Sequence, residues 1–160
     1  MSDRDQLDHV DLKILRILLE DGRASYAYIA KEAKLSDVAV KKRIEKLMSR
    51  GVIKKISAQV DRAKLGYPYT FFIELRVDPT EIYSVYRKLS SLPNILEVFI
   101  VAGEYPIIAK GVGESLAELK KFVKEVGKFN GVLDIKTAVA LEGVEKEFSI
   151  PSKIGQRVLG

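Results

Sequence analysis

The chain has 160 residues, 47% apolar and 31% charged, with 27 basic side chains, 22 acidic ones and no cysteine. That length holds one ordinary domain or two small ones. Disulfides, thiolate metal sites and cysteine nucleophiles are excluded, and a single histidine, His9, leaves no multi-histidine metal site within one chain.

No stretch approaches the run of about 18 apolar residues that a membrane span needs. The polar, acidic start has no signal-peptide pattern. The expectation is a cytoplasmic protein with no membrane partner. The net charge of +5 is unevenly placed. Residues 1–66 hold 15 Lys/Arg and 10 Asp/Glu, while residues 67–160 hold 12 of each. Residues 31–55 alone carry nine cations against three carboxylates, a net of +6. Such asymmetry suits a polyanion partner, and equally a solvated basic face. Two Asn, three Gln and two Met beside many Lys and Glu suggest a protein from a hot habitat.

Leu7 to Glu20 reads as a helix capped by Asp8, with Val10, Ile14, Leu15 and Leu18 at helical spacing. Asp21-Gly22 ends it. Ser25 caps a short second helix through Ala33, with Ile29, Ala30 and Ala33 inward. Lys34-Leu35 turns the chain, and Ser36 caps a third helix to Arg50, stopped by Gly51. This is the outline of a helix-turn-helix, at about residues 26–45. Val52 to Val60 alternates and predicts a strand, in the place of a wing. Residues 61–68 read as a hinge.

Tyr69 to Val77 predicts a strand with Phe71, Ile73, Leu75 and Val77 on one face. Pro79-Thr80 opens a helix with Ile82, Val85, Tyr86 and Leu89 inward. Strands follow at Ile95 to Val101 and Ile107 to Val112, joined by the turn Gly103-Glu104-Tyr105-Pro106. Ser115 and Glu118 form a capping box for a helix with Leu116, Leu119, Phe122, Val123 and Val126 inward. Asn130-Gly131 breaks it before a last strand, Val132 to Glu142. The order βαββαβ is the ferredoxin-like split, with two helices on one sheet face. The other face, including Phe72 and Phe99, is left for a partner. The tail, residues 143–160, has little periodicity.

The first half resembles the leucine-responsive regulator/asparagine-synthase regulator (Lrp/AsnC) family of prokaryotic transcription factors. The matching run is Leu7-Asp8, Asp11, Ile14-Leu15, Leu18, Asp21-Gly22-Arg23, Ser25, Ile29-Ala30, Leu35-Ser36, Val40, Arg43-Ile44, Leu47, Gly51-Val52-Ile53, Asp61 and Leu65-Gly66. In the second half, Gly103-Glu104-Tyr105 resembles the family's Gly-x-Tyr-Asp turn, and Gly131-Val132 with Thr137 resembles its last strand. The order and spacing over residues 7–142 make the likeness specific, and the composition points to an archaeal member. The resemblance implies an α+β chain: a winged helix-turn-helix over residues 1–60, then a ferredoxin-like effector and oligomerisation domain over residues 69–142. It also implies homodimers that assemble further, often as an octamer of four dimers, and an amino-acid effector between dimers near Gly103, Glu104, Tyr105 and Thr137. For Tyr105 and Thr137, ordinary turn and sheet positions are an equal reading. Pro106 departs from the family's Asp. It removes a carboxylate that could pair with an ammonium, and a backbone N–H. An effector-free regulator therefore stays open.

Helical geometry sorts the DNA-facing residues. With Ile44 at the centre of the buried face of the third helix, Val40 and Leu47 lie beside it and Lys42 and Lys46 point away. A recognition helix reads bases from its N-terminal residues, so Ser36, Asp37, Val38, Ala39 and Lys42 are candidates for base edges of double-stranded DNA. Arg43, Lys46, Arg50, Lys54 and Lys55 suit phosphates. The blander reading of Val38 and Ala39 is ordinary helix surface.

His9 reads as a surface residue at a helix start. Asp8, Asp11 and Asp21 are spaced for a cap and a helix end, not for paired-carboxylate catalysis. Gly111-Val112-Gly113 lacks the third glycine of a dinucleotide loop and reads as a tight turn. Tyr26 and Tyr28 have the chemistry to stack on bases, but in the second helix they read rather as partial core or backbone contacts. No enzyme activity, cofactor or metal is expected. One enzymatic class stays as an alternative, because sirohaem decarboxylases resemble this family in both domains. A single histidine outside the second domain and the concentrated basic charge argue against it.

Overall fold

A computed structural model describes residues 7–146 and 148–151. The chain divides into two compact units. One comprises residues up to Gln59 together with the described residues from Glu145; the other runs from Val60 to Val144.

The first unit holds α1 (His9–Glu20), α2 (Tyr26–Ala33) and α3 (Asp37–Ser49). Each starts where a side-chain oxygen replaces a missing intrahelical partner. Ser25 Oγ accepts from the Tyr28 amide, and Ser36 Oγ from the Ala39 amide. At α1 the cap is reciprocal: Asp8 accepts from the Asp11 amide at 2.7 Å, and Asp11 from the Asp8 amide at 3.3 Å. Lys34, with φ 55°, ends α2 in the left-handed region, and Gly51, with φ 71°, does so just past α3. Ile14, Ile29, Ala30, Val40 and Ile44 form the core, with Val10, Leu18, Leu35 and Ile53 against it.

The strand expected from Val52 to Val60 is not formed. The amides of Val52 and Ile53 both donate to the Leu47 carbonyl, which turns the chain back onto the end of α3. Beyond Ile53, every residue to Asp61 is exposed without regular structure. A strand exists through its ladder, and no other strand belongs to this unit among the described residues. The hinge region contains a single 3₁₀ turn, Ala63–Leu65, with the Ala63 amide on Asp61.

The second unit holds β1 (Tyr69–Val77), α4 (Ile82–Ser90), β2 (Ile95–Ile100), β3 (Ile107–Gly113), α5 (Leu116–Val126) and β4 (Val132–Val139). The sheet order is β2-β3-β1-β4, antiparallel throughout, which is the ferredoxin-like arrangement. Phe71, Ile73, Leu75 and Val77 alternate inward from the central β1 and meet Val85 and Leu89 of α4 and Leu119 and Val126 of α5. Leu116, expected inward, is exposed, and it stands at the first position of α5, ahead of the buried Leu119 and Val126. The Ser115–Glu118 cap also differs from a closed box. Ser115 accepts from the Glu118 amide, but the Glu118 carboxylate takes the Glu114 amide, one residue earlier. Gly111 and Gly113 lie inside β3, not in a turn. The Phe71 ring occupies the space that a Cβ on Gly111 would need.

Candidate nucleic-acid interface

The first unit presents α3 as the reading element. Val40, Ile44 and Leu47 bury one side of it. Three and four residues apart, they form a single stripe. Val38, Lys42, Glu45 and Lys46 form the opposite, exposed side, and Asp37 and Lys41 are exposed as well. Val38 is 64% exposed, which is unusual for valine and leaves its methyl groups free for contact. Ala39 is half-buried. Ser36 is exposed, and its hydroxyl oxygen accepts the Ala39 amide as the helix cap, which leaves its O–H and one lone pair for a base. Lys54 and Lys55 are exposed on the segment after α3, in irregular backbone and not on a wing. Tyr26 and Tyr28 are exposed on α2, correcting the partial-core reading.

Arg43 also departs from expectation. Its Nη1 donates to Asp8 Oδ2 and Asp11 Oδ1, each at 2.7 Å. The cation expected on a phosphate is held instead by the capping box of α1. Asp11 is the one buried charged side chain among the described residues. Burial raises the Asp8 carboxyl, but the Asp11 amide and the Arg43 guanidinium outweigh it and hold it below the usual carboxylate value. The same two carboxylates push Arg43 further up. Helical periodicity places Arg43 beside the buried Ile44, where it is half-buried. The signal it missed is the pair of acids three residues apart, which can converge on one cation.

The other set of candidates lies on the ferredoxin-like unit. Gly103 and Glu104 are exposed in the turn between β2 and β3. Tyr105 leaves that turn to donate its hydroxyl to Asp134 Oδ2 at 2.6 Å. The Lys136 ammonium sits 3.8 Å from the centre of its ring. Asp134 holds the Tyr105 hydroxyl protonated to higher pH, and that hydrogen bond lowers Asp134. Asp134 and Lys136 pair in register with Arg76 and Glu74 of β1, on the sheet face without helices. Thr137 pairs with the buried Ile73, so it belongs to the helix-covered face. Within one chain, Tyr105 and Thr137 are therefore not brought together. Asp134 and Lys136 were not legible beforehand, because only the register places them beside the turn.

The AsnC-type helix-turn-helix domain matches residues 7–48, and the Lrp/AsnC ligand binding domain matches residues 70–150. The chain belongs to the Lrp/AsnC family. It is 33% identical over 147 residues to the HTH-type transcriptional regulator FL11 of Pyrococcus horikoshii, covering 92% of this chain and 97% of FL11. The E. coli AsnC structure matches with a TM-score of 0.83 at 25% identity, over 91% of this chain and 99% of AsnC. LrpC of B. subtilis gives 0.79 at 28% identity, over 89% and 99%. A Neisseria meningitidis transcriptional regulator solved with L-Met shares the fold, with a TM-score of 0.81 at 21% identity over 91% and 97%. No helix among the described residues is long and apolar enough to cross a membrane. The Lrp/AsnC assignment covers both units and agrees with the three-helix and βαββαβ plans derived from the residues.

Proposed function

We infer that this Lrp/AsnC chain is a sequence-specific, DNA-binding transcriptional regulator that works in the cytoplasm as a homodimer. The observation that carries the reading is the exposed side of α3, set in a stretch of net charge +6, within a matched helix-turn-helix. Val38, Ala39, Lys42, Ser36 and Asp37 are the proposed base contacts. Lys46, Arg50, Lys54 and Lys55 are the proposed phosphate contacts. Arg43 leaves that set because of its partners on α1.

The uncovered sheet face joins two chains, and four such dimers would complete an octamer. An amino-acid effector is proposed at the Gly103-Glu104-Tyr105 turn, where the carboxylate of Asp134 and the ammonium of Lys136 lie within reach of both ends of a zwitterion. Thr137 would join that site only from another chain. Pro106 favours a second reading, a regulator acting by occupancy alone. It offers no N–H, and its carbonyl already accepts from the Val101 amide.

A gel shift with the DNA upstream of its own gene tests the main reading. Retarded DNA at low salt that survives excess random duplex is expected. Absence of any shift at low salt would sink the regulator reading, and a visible tetrapyrrole band in the purified protein would then favour the haem-biosynthesis class. Thermal shift against each of the twenty amino acids separates the effector-bound reading from the occupancy reading.

A further inference from the structure

We propose that Arg43 is a positioning residue for the recognition helix, acting through the first turn of α1 and not through DNA phosphate. The proposal rests on the DNA-binding reading above.

The geometry is directional at both ends. One guanidinium nitrogen makes two charge-assisted hydrogen bonds of 2.7 Å, to Asp8 and to Asp11. The two carboxylates are themselves held, because each accepts from the other residue's backbone amide. Arg43 is thus fastened to the backbone of α1, not to two loose side chains. Beside this ion pair, Ile14 of α1 and Val40 and Ile44 of α3 share one apolar cluster. Apolar burial is non-directional, so it sets the rotation of a helix less sharply than a hydrogen bond does. The ion pair supplies what that contact lacks, a defined rotation of α3 about its own axis.

Position along α3 gives this consequence. Arg43 follows Lys42 directly and lies one turn beyond Ala39. Base readout tolerates misplacement of only about half an ångström, whereas a flexible lysine can follow a phosphate. A small roll of α3 would therefore cost sequence discrimination before it cost affinity. Electrostatics points the same way. Two carboxylates beside a DNA-facing helix repel phosphate, so their presence lowers general affinity unless a cation is held between them. Asp11 is buried, so removing the cation also leaves an uncompensated charge.

The test uses the intact protein and two duplexes, the one best bound from a randomised library and a random duplex of equal length. Affinities are measured across salt for the unaltered chain and for Asp8→Asn, Arg43→Met and Arg43→Lys. Asparagine keeps the helix cap but drops the charge partner of Arg43. Simple repulsion predicts that D8N binds both duplexes more tightly with an unchanged ratio. Positioning predicts instead that the ratio between the two duplexes falls roughly tenfold in D8N and R43M. The salt slope should stay unchanged, and R43K should recover part of the ratio. A salt slope lowered by about 0.9 for each Arg43→Met substitution would make Arg43 a phosphate ligand and overturn the proposal. An unchanged ratio in D8N would also overturn it, and that variant decides if Arg43→Met does not fold. Failure of the unaltered protein to bind either duplex is a separate result. It removes the DNA-binding reading, and this proposal with it.

Discussion

At the scale of single residues, the basic stretch separates into side chains with different tasks. Lys42 is exposed in the second turn of α3 and is a proposed base contact. Lys42→Ala should relax preference at its base pair by about 1–3 kcal/mol, read from binding to a panel of single-base operator variants. Lys54 is exposed beyond the helix end and is a proposed phosphate contact. Lys54→Ala should weaken all duplexes alike and lower the salt slope by about 0.9, the share of one phosphate. Asp8 supplies a pH dependence with a definite sign. Its carboxyl is held below the ordinary value of 3.8, so its contribution to stability is complete above that value. It is lost as pH falls through the lower, folded-state value. The melting temperatures of the unaltered protein and of D8N should differ at pH 6 and converge as the pH drops below about 3.8. A constant difference down to pH 2 would deny Asp8 this role.

At the scale of elements, sequence legibility followed local chemistry. The three caps of the first unit and the breaks at Gly51 and Gly131 are short-range events, carried by residues within four positions of each other. The alternation of Phe71, Ile73, Leu75 and Val77 needs only the pleat. What was hidden depends on residues far apart in the chain. The Arg43–Asp8 pair spans 35 positions and the Tyr105–Asp134 pair spans 29. The strand expected at Val52 to Val60 is the instructive difference. Its alternation is real, but strand character is completed by a ladder that one copy of the first unit does not supply. Pairing with the same segment of a second chain would supply it. Amide exchange at residues 54–60 should then be unprotected in dilute monomer and protected in the dimer. Gly111 gives a sharper test of packing. Gly111→Ala drives a methyl group into the Phe71 ring, at the centre of the ferredoxin-like core. A loss of about 1–3 kcal/mol in urea unfolding is expected, and pairing with Phe71→Leu should recover part of it.

For the whole molecule, the question is what the bare sheet face is for. Phe72 of β1 is 40% exposed and Phe99 of β2 is 52% exposed, although the opposite face of the same sheet is sealed by two helices. Glu74, Arg76, Lys110 and Lys136 share that face with both signs interspersed, and residues 67–160 carry 12 bases and 12 acids. A neutral, half-apolar face suits self-association, since a second copy meets no net repulsion. The basic excess stays with the helix-turn-helix. A two-fold pairing presents two copies of α3 in opposite senses, and so a near-palindromic operator with half-sites about 34–36 Å apart, or a multiple. Breaking the pairing should then damage DNA binding without touching the reading helix. Phe99→Asp places a carboxylate on the face beside Ile108, its partner across the ladder. Sedimentation should show this variant as a monomer with an unchanged circular dichroism spectrum. Its operator affinity should fall by about 10²–10⁴, because each head must now bind without the other's effective concentration. Its affinity for an isolated half-site should match that of the unaltered protein. If Phe99→Asp stays dimeric at micromolar concentration, the two chains are joined through some other surface, and the half-site spacing must be derived anew from that surface.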